Sequence, residues 1–160
     1  MTVRPCLFIA SCVLLTAVTG TTALGHHGFS GRYDLSRPIW IEGEVVRAYF
    51  GPPHAELTIR TAPSMRVPSP LPRLGPTASF IDAGSLRILT PTQGRTFRLE
   101  LPPTQQYFGL RSRVAVGDRI AVVALRNCER PHQLNVQWLR PAKGAIVARS
   151  APMSYMARQC

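Results

Sequence analysis

Apolar and polar residues alternate along much of this chain, and the two-residue period predicts strands rather than helices. Over residues 39–50, Ile39, Ile41, Val45 and Tyr49 fall on one face and Trp40, Glu42, Glu44 and Val46 on the other. Gly43 interrupts that run and predicts a bulge or sharp bend, as small barrels need at corners. After the Gly51-Pro52-Pro53 break, residues 54–62 alternate again, with Ala55, Leu57, Ile59 and Thr61 inward, so the two runs form a hairpin-like pair. Residues 95–101 repeat the pattern through Phe97, Leu99 and Leu101 and stop at Pro102-Pro103. Residues 119–126 are apolar on both faces, which predicts a central strand covered on both sides. Residues 134–139 make a fifth strand, with Leu134, Val136 and Trp138 on one face, and residues 145–147 extend the sheet.

Between these runs the pattern breaks twice. Residues 104–113 predict one short helix, capped by Thr104 and packed through Tyr107, Phe108 and Leu110. Residues 63–94 hold Pro63, Pro68, Pro70, Pro72, Pro76 and Pro91, too many missing amide donors for a sustained strand ladder. That stretch predicts a disordered loop or insertion with one short element around residues 80–89. Five strands with a helix between the third and fourth is the element order of an OB-type barrel. The expected fold class is therefore all-β: a small five-stranded OB-like barrel, or a sandwich, with at most one short helix.

The first 25 residues read as a cleavable export signal. Arg4 supplies the positive start, residues 6–18 the apolar run, and Ala23-Leu24-Gly25 a small-x-small cleavage site. The apolar run is shorter than the ~20 residues of a membrane span. A lipid-attachment pattern, Ile9-Ala10-Ser11-Cys12, comes too early in that run. A periplasmic or secreted protein is expected, with a single β domain over residues 26–149 and a flexible tail over residues 150–160. The 19 basic residues are all arginine except Lys143, and they outweigh eight acidic residues to give a formal charge of +11. Such a balance favours anionic partners, a phospholipid surface, nucleic acid or a cell-wall polymer, although the arginines are spread along the chain as on any solvated surface. Nothing in the sequence specifies nucleic acid.

Two histidines, His26 and His27, follow the leader. A cut after Gly25 puts His26 at the N-terminus, where its amine and ring nitrogen form a bidentate chelate. A third donor, His54 at the head of the second strand or His27 itself, completes a nitrogen-rich tetragonal set of the kind that suits Cu(II). A cut after Ala23 leaves Leu24-Gly25-His26, again a copper-binding arrangement. The competing reading leaves His26 and His27 as flexible terminal residues and His54 as a turn cap. His132, in Glu129-Arg130-Pro131-His132, reads as a solvated loop residue. Removing the leader also removes Cys6 and Cys12, leaving Cys128 and Cys160. In an oxidising compartment these two form a disulfide, or else Cys160 stays a free thiol on a frayed end.

Several of these segments form one set: Gly25-His26-His27-Gly28-Phe29-Ser30, Tyr33-Asp34, Pro38, Gly43-Glu44-Val45, Pro53-His54-Ala55 and Val114-Ala115-Val116-Gly117-Asp118. The set resembles a family of small exported bacterial proteins catalogued as a domain of unknown function. That family's pattern has a His-His-Ser-Phe mature start, a Gly-x-Val strand, an Asn-Pro-His turn and a late Leu-x-x-Gly-Asp. Here the turn reads Gly51-Pro52-Pro53-His54 without the Asn, and the proline-rich stretch stands as an insertion. The resemblance implies export and a small β-fold; it implies no activity.

No nucleophile elbow, zinc-protease helix motif, phosphate loop or dinucleotide glycine pattern occurs in the sequence. Glu42 and Glu44 share a strand face and could do acid–base work, but a solvated face balanced by Arg47 or Arg60 accounts for them better. The expected function is that of a non-enzymatic binding or accessory protein holding copper through His26, His27 and His54. The alternative is a metal-free interaction module for an anionic polymer, a membrane surface or a periplasmic protein partner.

Overall fold

The alternating runs fold as strands at the expected places. The computed structural model describes residues 32–90, 94–154, 156–157 and 159–160, so the leader, His26 and His27 lie outside the described residues. In chain order come β1 (Tyr33–Asp34), β2 (Ile39–Tyr49), β3 (Glu56–Thr61), β4 (Thr96–Glu100), the helix α1 (Gln105–Phe108), β5 (Arg119–Arg126), β6 (Leu134–Arg140), β7 (Val147–Ala148) and β8 (Met156–Ala157). β4, β3, β2, β5, β6 and β7 are neighbours in that order in one sheet, with β2–β3, β3–β4, β2–β5 and β5–β6 antiparallel.

What closes the sheet is a short parallel pairing of β4 with β6, Leu99 opposite Leu134 and Glu100 opposite Asn135. Five strands, β2 to β6, thereby form a barrel, with α1 on the connection between the third and fourth. This is the OB topology, and the closure excludes the sandwich alternative. β2 can pair with β3 and β5 at once because it is long and twisted, and one register slip at Val46, between Val45 and Arg47, accommodates the bend. The expected bulge thus sits three residues beyond Gly43. Gly43 has a different job: a Cβ there would overlap the backbone carbonyl of Arg60, so only glycine lets the two strands approach.

Alternation explains the inner layer, and both sides of the barrel wall are apolar near β5. Ile41, Val122 and Leu139 are cross-strand neighbours on one face; Trp40, Val123 and Trp138 are neighbours on the other; all six are buried. The two indole rings lie 5.8 Å apart. A second face can be buried only if something covers it, and the proline-rich segment joins that core. Contrary to the expected disorder, residues 63–90 are ordered, with 3₁₀ turns at Gly75–Ser79 and Ala83–Ser85. Met65, Leu74, Ile81 and Leu86 are buried in the same hydrophobic core as the two tryptophans. The Thr77 hydroxyl lies 3.2 Å from the Gln137 carbonyl and 2.9 Å from that of Arg149, and Arg87 exchanges backbone bonds with Pro38 and Trp40. Proline removes donors, but it also lowers the entropy lost when such a segment is ordered, so a few apolar anchors suffice.

Two further expectations are corrected. Thr104 occupies the N-cap position of α1 with extended backbone, yet its side chain makes no capping bond. The tail beyond residue 150 is tied down: β8 pairs in parallel with β1, and Cys160 is bonded to Cys128 with their Cα atoms 5.4 Å apart. That bond resolves the choice left open between a disulfide and a free thiol.

Candidate functional site

Barrels of this topology commonly bind along the face of their second and third strands, between the loops joining strands one to two and four to five. Those elements here are β3 and β4, the 50–55 loop and the 127–133 loop. On β3 the outward residues are Glu56, Thr58 and Arg60; on β4 they are Thr96, Arg98 and Glu100. Two adjoining hollows, of about 410 and 340 Å³, share Glu56, Arg98, Glu100 and Gln133, and together they form one groove. Tyr49 and His54 bound it at one end, Pro131 and His132 at the other. The Tyr49 hydroxyl donates to the Pro52 carbonyl at 2.6 Å, which holds the 50–55 loop against the end of β2.

Glu56 and Glu100 are directly opposite in the β3–β4 register, an unfavourable placement for two carboxylates. Arg98 relieves half of it. Its guanidinium forks onto Glu56, Nε to Oε2 at 2.9 Å and Nη2 to Oε1. Glu100 gains little from Arg98 and is buried against β6, with one carboxylate oxygen, Oε2, lacking any hydrogen-bond partner among the described residues. Burial first, and the neighbouring Glu56 charge second, push its carboxyl up to about 7. His54 stands beside it, Nδ1 3.7 Å from Glu100 Oε1, an ion-pair distance when the imidazole is protonated.

Of the residues singled out from sequence, His54 lies in this groove, His26 and His27 fall outside the described residues, and Cys128 and Cys160 are bonded to each other at the other side of the 127–133 loop. Among the described residues no three or more His, Cys, Asp or Glu side chains gather as a metal cluster. Glu44 is paired with Arg60 at 3.6 Å, as expected for a solvated, charge-balanced face, and the Glu42 backbone amide faces the Met65 sulfur at 3.1 Å. His132 is not simply solvated: it is half-buried, with Nδ1 2.9 Å from the Asn127 carbonyl and φ at 59°. Glu100 is the residue sequence reasoning missed. Its polar position on an alternating strand was legible, but its burial comes from the β4–β6 closure, a contact between segments far apart in sequence.

No helix among the described residues is long and apolar enough to cross a membrane. No family model matches the chain, and no curated protein matches it. Among solved structures it is similar to Schizosaccharomyces pombe Pot1pC bound to single-stranded DNA, at 11% identity and a TM-score of 0.35, over 66% of this chain and 74% of that one. A likeness that faint says nothing of ligands; the barrel assignment here rests on the strand pairing.

Proposed function

We propose that this chain is an exported, non-enzymatic binding protein that holds copper at the groove between the 50–55 and 127–133 loops. The observation that carries the reading is the pair at its centre: buried Glu100, with an unpartnered oxygen, next to the half-buried His54 imidazole. An imidazole and a carboxylate are two donors of the type a tetragonal Cu(II) site accepts, and a cation would satisfy the oxygen that burial strands. The N-terminal amine and ring nitrogen of His26, with His27 beside it, would supply the rest.

Chain length permits this. Six residues, 26–31, precede the described chain, and six extended residues span about 20 Å at most. Tyr33 bridges Asn127, Asn127 donates to Gln133, and Asn135 pairs with Glu100, so β1 is three strand spacings from β4, about 15 Å.

The test is Cu(II) titration of the protein produced by export, with its mass read on the same sample. One-to-one binding is expected, weakened about tenfold or more by His54→Ala, by Glu100→Gln and by an added residue ahead of His26. Binding no tighter than that of a scrambled N-terminal peptide sinks the proposal. The second reading, a metal-free module for an anionic polymer, membrane surface or protein, is favoured by the formal charge of +11. It predicts binding that survives the N-terminal extension and weakens with salt.

A further inference from the structure

On the other side of the 127–133 loop lies a second cavity, of about 320 Å³, that the copper reading does not use. Its charged lining is lopsided. Arg37, Arg87 and Arg126 line it together, and none of the three guanidinium groups pairs with a carboxylate among the described residues. Asp34 is the acidic side chain of the lining: buried, its Oδ1 accepts from the Ser36 amide at 2.8 Å and from the Ser36 hydroxyl at 2.6 Å, so one negative charge stands against three positive ones.

The fold itself brings the arginines together. Ile39 is bridged on one side by Arg87 and paired on the other with Ala124. Arg37 precedes Ile39 by two residues and Arg126 follows Ala124 by two, so the two-residue period returns all three arginines to one wall. Like charges set across a sheet from one another are destabilising, and these three converge without the carboxylates that Arg60 and Arg98 each have. The rest of the lining mixes apolar Ile39, Ile88 and Leu89 with polar Asn127 and His132, and the Cys128–Cys160 disulfide lies at the edge.

We propose that this cavity binds a small amphiphilic anion, a carboxylate or phosphate head on a short apolar body. The guanidinium forks match the paired oxygens of such a head, and Ile39, Ile88 and Leu89 cover its apolar body. The volume falls near the lower end of the range for small-molecule sites, which excludes a long acyl chain held entirely inside. The proposal is independent of copper.

The test is calorimetric titration of the purified, disulfide-intact protein with octanoate, acetate, 1-octanol and octyl phosphate. Octanoate or octyl phosphate is expected to bind one-to-one, and whichever binds tighter identifies the head. Acetate, the head alone, and octanol, the body alone, bind at least about tenfold more weakly. Arg87→Gln and Arg126→Gln, both at exposed positions that leave the core intact, each weaken the better ligand about tenfold. Arg119→Gln, exposed at the opposite end of β5, leaves binding unchanged. Two results overturn the proposal: neither octyl ligand binding tighter than its separate parts, or the Arg87 and Arg126 variants matching Arg119→Gln.

Discussion

Replacing Glu100 with Gln should make the protein more stable at alkaline pH, and the gain should vanish in acid. The folded state holds a proton on Glu100 up to about 7, whereas an unfolded chain releases it near 4.5. Between those values the folded state binds more protons, so stability falls as pH rises, and above about 7 the full penalty is present. Moving the carboxyl over that range corresponds to about 3 kcal/mol, which water at the groove reduces to about 2 kcal/mol. Gln fills the same volume, offers the same carbonyl oxygen and does not titrate. Urea unfolding of both proteins between about pH 5 and pH 8 measures the difference directly. The variant should gain about 2 kcal/mol relative to the parent across that range. Two profiles that run parallel would refute the idea that Glu100 is buried and raised, and with it the electrostatic core of the groove.

Gly43→Ala should destabilise the barrel by about 3 kcal/mol, because the new methyl meets the Arg60 carbonyl in a strand pair that cannot spread; thermal unfolding reads this. Ile81→Ala should cost about 2–5 kcal/mol in urea and should speed proteolysis within residues 63–90, whereas a loop of the kind the prolines suggest would show neither effect. Cys160→Ser should remove about 3–4 kcal/mol, as expected for a crosslink spanning 32 residues, and should free β8 from β1, seen as faster amide exchange over the paired residues 33–34 and 156–157.

The barrel was legible because four of its five strands carry a period-two pattern, and because the doubly apolar run at residues 119–126 announces a strand covered on both sides. The covering itself was not. Met65, Leu74, Ile81 and Leu86 are too widely spaced to register as a pattern, and six prolines around them suggested a segment that would stay loose. A segment held by isolated anchors and side-chain bonds such as Thr77 to β6 has no local signature; only the surface it covers defines it. The tail was misjudged for the same reason, since β8 finds its partner at the far end of the chain. His54 was found through its place at a strand head after a proline turn, while Glu100 was hidden because strand closure, not strand period, buries it.

The 127–133 loop gives both cavities a reason to sit where they do. His132 lines the arginine cavity with one neighbour, Cys128, and the groove with the next, Gln133. The loop has little regular structure to hold it: Asn127 anchors its base through the Gln133 carbonyl, and the Cys128 amide donates to Arg32 at 2.7 Å. The disulfide supplies the remaining constraint, tying Cys128 to the end of the chain. One covalent bond therefore positions a wall common to two sites of opposite preference, a carboxylate–imidazole groove suited to a cation and an arginine cavity suited to an anion. Opening that bond should loosen both at once, a loss that neither Glu100→Gln nor Arg126→Gln can mimic, because each acts on one side of the loop alone.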